Sequence, residues 1–232
     1  MAAGPLWRTG AARKSPVPVA SRPPRCHEAA MTVTVRFFAG AAMRSWLPAL
    51  ARLRVAVFRD WPYLYDGAAE TGQAEPSALA RSPRGGLAVA FDGTEPVGCA
   101  SCLPLADAEA VIQAPFRAAG RDPARYCHFG EAVLLARYRG QGIGVTFFRQ
   151  REAHARQNAD ADYACFCAID RPPDHPLRPA GAVPLDGFWQ RRGYTHHPEL
   201  ACTLRWKQVD TAERVEQRLS FWIKPLRIIA AT

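Results

Sequence analysis

Thr32–Phe38 alternates apolar and polar residues and is rich in β-branched side chains, which predicts a first strand. Ala41–Phe58 changes period. Met43, Trp46, Leu47, Leu50, Leu53, Val55 and Val57 stand mostly at helical spacing, with Pro48 interrupting the early part. Trp61 to Gly67 forms a loop dense in aromatics, and Ala78–Arg84 finishes a second, short helix. Leu87–Phe91 and Pro96–Leu103 flank Asp92-Gly93, a dipeptide that turns hairpins. Asp107–Ala118 reads as a helix with Asp107 as its N-cap. Tyr126–Leu135 reads as a strand, Val145–Gln157 as an amphipathic helix and Tyr163–Ile169 as a short buried strand. Phe188–Gly193 is a further helix that ends before Tyr194, and Leu200–Trp206 is the last sheet strand. Thr211–Ile229 mixes Val215, Leu219, Phe221, Trp222 and Ile223 with charges, so a C-terminal helix limited by Pro225 is expected there.

The densest chemistry lies at Leu134-Leu135-Ala136-Arg137-Tyr138-Arg139-Gly140-Gln141-Gly142-Ile143-Gly144, between a strand and a helix. Glycines let the backbone approach a ligand, and a helix start presents unpaired N–H groups. Those groups, the helix dipole and the charges of Arg137 and Arg139 favour an anion such as phosphate. A Walker-type loop is excluded because Gly144-Val145-Thr146 lacks the required Lys. The dinucleotide fingerprint is excluded because Ile143 alone separates Gly142 from Gly144. What remains is Arg-x-x-Gly-x-Gly, met by Arg139, Gly142 and Gly144.

With Tyr138 and a strand before it, and a helix, a strand, a helix and Gly193-Tyr194 after it, this loop resembles the pyrophosphate loop of the GCN5-related N-acetyltransferases. The resemblance covers Met31 to Lys207, most of the chain. It implies an α/β (α+β) fold: a mixed, mostly antiparallel central sheet splayed between its fourth and fifth strands, with helices on both faces. It implies an acetyl-CoA-dependent N-acetyltransferase, with acetyl-CoA as cosubstrate and a primary amine, small molecule or peptide, attacking directly in a ternary complex. On the matching positions, Arg139, Gly140, Gln141, Gly142, Ile143 and Gly144 hold the pyrophosphate, with Ile143 packing the loop on the sheet. Backbone groups of Val133, Leu134 and Leu135 hold the pantetheine arm, the Leu134 N–H being the oxyanion donor.

Glu131 leads the candidates for the base. It is a lone carboxylate in the apolar run Phe129 to Leu135, where burial raises its pKa toward a useful range. Pairing with a nearby Arg or Lys is the competing role, and Asp170 and His128 are further candidates. Many family members carry a Tyr four residues before the Gly that ends the fourth helix; here that position is Trp189, whose indole cannot act as an acid. Tyr194, a water or no acid at all then serves the leaving thiolate, and Trp189 becomes a packing residue. An idle acyl-CoA-binding or regulatory module of the same fold is therefore the alternative function. Trp61, Tyr63, Tyr65 and Asp66, with the Pro-rich loop Asp170–Pro184, are the candidate acceptor lining, a set that suits a cationic amine; a packed loop anchored by those aromatics is the competing reading.

Composition narrows the remaining choices. The chain has 232 residues, 48% of them hydrophobic, enough for one full core. No apolar run is long enough for a bilayer, so a soluble, cytoplasmic protein without membrane partners is expected. Residues 1–30 carry Arg8, Arg13, Lys14, Arg22 and Arg25 against Glu28, a net +4 of the chain's +9, with Pro at 5, 16, 18, 23 and 24. They read as a disordered basic extension, followed by the acetyltransferase domain over 31–208 and a helical appendage over 209–232. The charge left after the extension is modest and dispersed, which argues against a nucleic-acid partner, while a homodimer stays open. The seven cysteines (26, 99, 102, 127, 165, 167, 202) are odd in number and without a secretion signal. Strand alternation sends Cys99 and Cys102 to opposite faces, so they are expected to be buried hydrophobes, and no metal site is assigned.

Overall fold

The structure is a computed structural model that describes residues 33–67, 77–157 and 159–227. The expected extension over 1–30 lies outside the described residues. Seven strands form one sheet: β1 (Val33–Ala39), β2 (Gly86–Asp92), β3 (Glu95–Pro104), β4 (Tyr126–Leu134), β5 (Tyr163–Ile169), β6 (Thr195–Lys207) and β7 (Arg214–Pro225). Their order is β1-β2-β3-β4-β5-β7-β6. Every neighbouring pair is antiparallel except β4 and β5. The helices are α1 (Leu47–Phe58), α2 (Ser77–Arg81), α3 (Ala110–Ala118), α4 (Ile143–Gln157) and α5 (Asp186–Gln190). None is long and apolar enough to cross a membrane.

Strand β2 explains why both faces of the sheet are covered. Leu87, Val89 and Phe91 enter one core with Met43, Leu47, Leu50 and Leu53 of the α1 region. Ala88 and Ala90 enter another with Ile143 and Phe147 of α4. Small alanines on the second face let α4 lie close to the strands that position its N-terminus. Cys99 belongs to the first core and Cys102 to one on the opposite face, with Cys127 and Phe129, as the alternation required.

The parallel pairing of β4 with β5 covers only Tyr126↔Tyr163, Cys127↔Ala164 and His128↔Cys165. Beyond His128 the two strands part, and β4 continues to Leu134 beside β3 alone. This splay at the fourth and fifth strands is the opening in the sheet. A bulge sits on β4 where it begins: Gly130 and Glu131 together face Ser101, between the pairs Cys102↔Phe129 and Ala100↔Ala132.

Three expectations are corrected. The predicted C-terminal helix over Thr211–Ile229 is strand β7, inserted between β5 and β6. Its alternation of Val215, Gln217 and Leu219 with Glu216 and Arg218 passes into a continuously buried run, Leu219–Ile223, because the strand is central and covered on both faces. Leu200–Trp206 is accordingly not the last strand but part of β6, and the boundary at 208 falls inside the β6–β7 hairpin, where Lys207 pairs with Arg214. Finally, Asp107 is not an N-cap. Helix α3 starts at Ala110, and Asp107 instead accepts a hydrogen bond from Ser82 Oγ (2.6 Å). The α1 region begins as a 3-10 turn, Gly40–Trp46, and becomes α-helical at Leu47, with Pro48 in the first turn where a missing N–H is harmless.

Candidate functional site

The glycine loop joins the end of β4 to the start of α4. Gly140 and Gly142 have φ of +77° and +80°, a conformation strained for any residue with a Cβ. A Cβ at either position meets nothing within 4 Å, so the loop presents an open backbone surface there. Gly144 differs, since a Cβ there only touches the Phe188 ring at 3.5 Å. The amides of Ile143, Gly144 and Val145 open α4 and have no carbonyl partner within the helix. Ile143 is buried against Ala88, Val97 and Phe147, anchoring the loop to the sheet. Tyr138 is the second anchor: its ring is buried and its hydroxyl donates to Asp92 Oδ2 (2.7 Å) in the β2–β3 turn. Arg139 Nε donates to the Leu134 carbonyl (3.2 Å) and Gln141 Nε2 to that of Arg137 (3.2 Å), so both side chains brace the loop.

At the end of β4 the three expected backbone contacts separate. The Leu135 N–H donates to Val97 O (3.1 Å) and is committed to the β3 ladder. In an antiparallel ladder such residues alternate with ones whose backbone groups face outward. Val133, opposite Cys99, therefore faces β3, and its side chain is fully buried. Leu134, opposite Gly98, faces away from β3 into the splay. Of the three, Leu134 alone has its amide facing away from β3.

The bulge aims Glu131. Its own N–H donates to Ser101 Oγ (3.0 Å), and a Cβ on Gly130 falls 2.8 Å from that oxygen, so this close approach needs glycine. Glu131 Oε1 stands 3.2 Å from Arg54 Nε of α1, each side chain about 24% exposed. Oε2 is buried and has no hydrogen-bond partner. Burial raises the carboxyl pKa above its ordinary value, and the Arg54 charge opposes that rise. Both roles foreseen for Glu131, a raised carboxylate and one half of an ion pair, are present together.

The residues of the aromatic loop after α1 are paired and packed. Asp66 is paired with Lys207 (3.2 Å) and Arg59 (3.7 Å), so it offers no free charge to a cationic amine. Tyr65 is buried under the Arg54 guanidinium, 5.2 Å from its ring centre. Tyr63 stacks on Phe58, and its carbonyl accepts from Trp206 Nε1 and Arg171 (both 3.1 Å). Arg171 also donates to the Pro62 carbonyl (2.7 Å) and to Gln208 Oε1, stitching this loop to the segment after β5. Trp61 lies beside His175 of the Pro-rich loop (5.2 Å) and, like Tyr63 and Asp66, is partly exposed. Nothing in the local sequence pattern marks Arg54 or Arg171, because each acts on a residue distant in the chain.

Tyr194, His128 and Asp170 stand in surroundings unlike those of Glu131. Tyr194 is buried among Phe129, Phe148 and Phe166, and its hydroxyl donates to Glu152 Oε1 (3.2 Å). Burial and the Glu152 charge push its pKa far up, so it is a poor proton donor to a thiolate. Trp189 packs on Phe166 and Trp222, the role expected of it. His128 is buried with an unpartnered Nε2, and burial lowers its pKa to about 4. Asp170 is paired with Arg218 and accepts from Ser220 Oγ (2.6 Å). Among the described residues no group of three or more His, Cys, Asp or Glu side chains stands ready for a metal ion.

The family model described as the acetyltransferase (GNAT) family matches residues 47–179. No curated protein matches the chain. Solved structures do. A ribosomal-protein-alanine N-acetyltransferase from Brucella melitensis is 16% identical over 83% of this chain and 99% of its own, with a TM-score of 0.51. ElaA from Escherichia coli is 14% identical over 83% and 99%, with a TM-score of 0.50. A protein assigned to the GNAT family of acetyltransferases from Desulfovibrio desulfuricans is 13% identical over 84% and 100%, also at 0.50. At such identities the likeness speaks to the fold alone.

Proposed function

The chain belongs to the acetyltransferase (GNAT) family, and we propose that it is an acetyl-CoA-dependent N-acetyltransferase whose acceptor, a primary amine of a small molecule or peptide, attacks directly in a ternary complex. The observation that carries this reading is the alignment of the splay with the loop. The outward-facing Leu134 amide stands where β4 has left β5, and the open glycine surface at the start of α4 follows a few residues later. A pyrophosphate on the loop directs the pantetheine arm along the outward edge of β4.

Bound acetyl-CoA supplies an activated thioester; the rest is the work of this chain. The amides at the start of α4 hold the phosphates, aided by the helix dipole. The Leu134 N–H donates to the oxygen that gains charge as the amine adds to the carbonyl. The Glu131 carboxylate receives the proton that the amine must lose, directly or through solvent, and its raised pKa brings it closer to that task. With Tyr194 turned inward and indole at Trp189, the thiolate leaves without a tyrosine acid.

The same two residues favour the alternative, an acyl-CoA-binding module that does not turn over. One experiment separates the readings: calorimetry with acetyl-CoA, then an amine-acceptor screen that detects released thiol. Enzyme function predicts binding and thiol release with some amine. Binding with none makes the chain a binding module, and no binding overturns both. Gly142→Glu, which puts a bulky anion on the open loop surface at a strained φ, is expected to abolish acetyl-CoA binding without unfolding the chain.

A further inference from the structure

Glu131 does not stand alone on the bulge. From α1, Arg54 meets Oε1 at 3.2 Å and leaves Oε2 buried and unpartnered. Arg54 is itself fixed from below by the Tyr65 ring. That ring is held in turn, since Tyr65 is buried, its N–H donates to Phe58 O (2.7 Å), and it bridges to Gln208. The other titratable groups that feel Glu131 are Tyr63 of the loop after α1 and Cys99 of β3. Burial and the Glu131 charge push the Cys99 thiol up to about 12 and the Tyr63 hydroxyl higher, so both stay neutral at working pH. The Arg54 charge thus opposes the desolvation of the carboxylate.

We propose that Arg54 is a positioning residue for the Glu131 base: it grips one carboxylate oxygen, fixes the orientation of the carboxylate on the bulge, and sets the pH at which the base becomes competent. This rests on the reading of Glu131 as the base. Two opposing effects act on that carboxyl. Burial among apolar neighbours favours the protonated form, which cannot accept a proton from the amine. The guanidinium favours the ionised form and keeps the base available at neutral pH. A lysine supplies the charge but not the planar fork, so it restores competence better than it restores direction.

The test compares Arg54→Gln and Arg54→Lys with the parent chain in two measurements. The first needs no acceptor. In protein carrying 13C-labelled glutamate, the Glu131 carboxyl signal, assigned by its loss in Glu131→Gln, is titrated by NMR. Its midpoint should move up by about one pH unit in Arg54→Gln, a tenfold change in the ionised fraction on the acid side, and much less in Arg54→Lys. The second is the pH profile of kcat/KM with the amine found by the thiol-release screen. Its acid limb should move up with the NMR midpoint, while acetyl-CoA affinity stays unchanged.

An unmoved midpoint overturns the pairing. A midpoint that moves while the acid limb stays still overturns the positioning role. Should Arg54→Gln fail to melt cooperatively, Arg54→Lys carries the test: a kcat loss with unchanged KM and a retained acid limb is then expected, and unaltered kcat overturns the proposal. The base assignment fails separately, and visibly, if Glu131→Gln keeps the acid limb.

Discussion

At the scale of single residues, neighbours decide what each candidate can do. In the sequence Glu131 leads the candidates for the base, and Tyr194 is one candidate for the acid. Tyr194 has its hydroxyl committed to Glu152 in a core of aromatic rings, whereas Glu131 keeps one buried oxygen without a partner. Tyr194→Phe removes one buried hydrogen bond and leaves the ring packing. It is expected to lower stability by about 1 kcal/mol in denaturant melts and to leave kcat unchanged. A large fall in kcat with an unchanged melt restores Tyr194 as an acid. Asp66 teaches the same lesson. A carboxylate among aromatics reads in sequence as a cation site, yet Lys207 and Arg59 already occupy it. Burial of a carboxylate in an apolar strand was legible; the identity of its counter-ion was not.

At the scale of elements, the local pattern served well where an element carries a one-sided period, as α4 does, or is bounded by turn residues, as the β2–β3 hairpin is at Asp92-Gly93. The β2–β3 hairpin, α4 and β5 lie where the pattern puts them, and Gly140 and Gly142 take the positive φ that glycine permits. It served badly for β7, whose Leu219–Ile223 run is buried on both sides and so carries no alternation to read. Period alone cannot distinguish such a run from a buried helix segment. Phe221 stands at the middle of this strand, fully buried, edge-on to Phe116 of α3 at 4.9 Å. Phe221→Ala is expected to cost about 3–5 kcal/mol, measured by chemical denaturation, because β7 joins β6 to the rest of the sheet. A cost below 1 kcal/mol is the result expected of an appendage, and it contradicts this placement.

At the scale of the whole molecule, the splay puts a polar edge inside an apolar body, and His128 stands at its base as the last β4 residue paired with β5. Burial lowers its pKa to about 4, against an ordinary value of about 6.5. The depressed value means that the unfolded chain binds the proton more tightly than the folded one. The stability due to a neutral His128 is therefore complete above about pH 6.5, falls as pH drops through the window, and is lost below about pH 4. The full swing is on the order of 3 kcal/mol. His128→Gln should flatten the decline of Tm between those limits, and an unchanged slope shows that other groups cause it.

The glycine loop, the strand before it and the helix after it could be read from residues alone, because steric freedom at φ, helix dipoles and one-sided burial are local properties. They point to an anion at a helix start, and with the order of elements they point to the family. Contacts between residues far apart in the chain had to come from the folded molecule. Arg54 meeting Glu131, Lys207 meeting Asp66, Leu134 turning outward while Leu135 turns to β3, and β7 entering between β5 and β6 all follow from pairing. Pairing depends on which surfaces are left to bury once the sheet closes, and no short stretch of sequence carries that information.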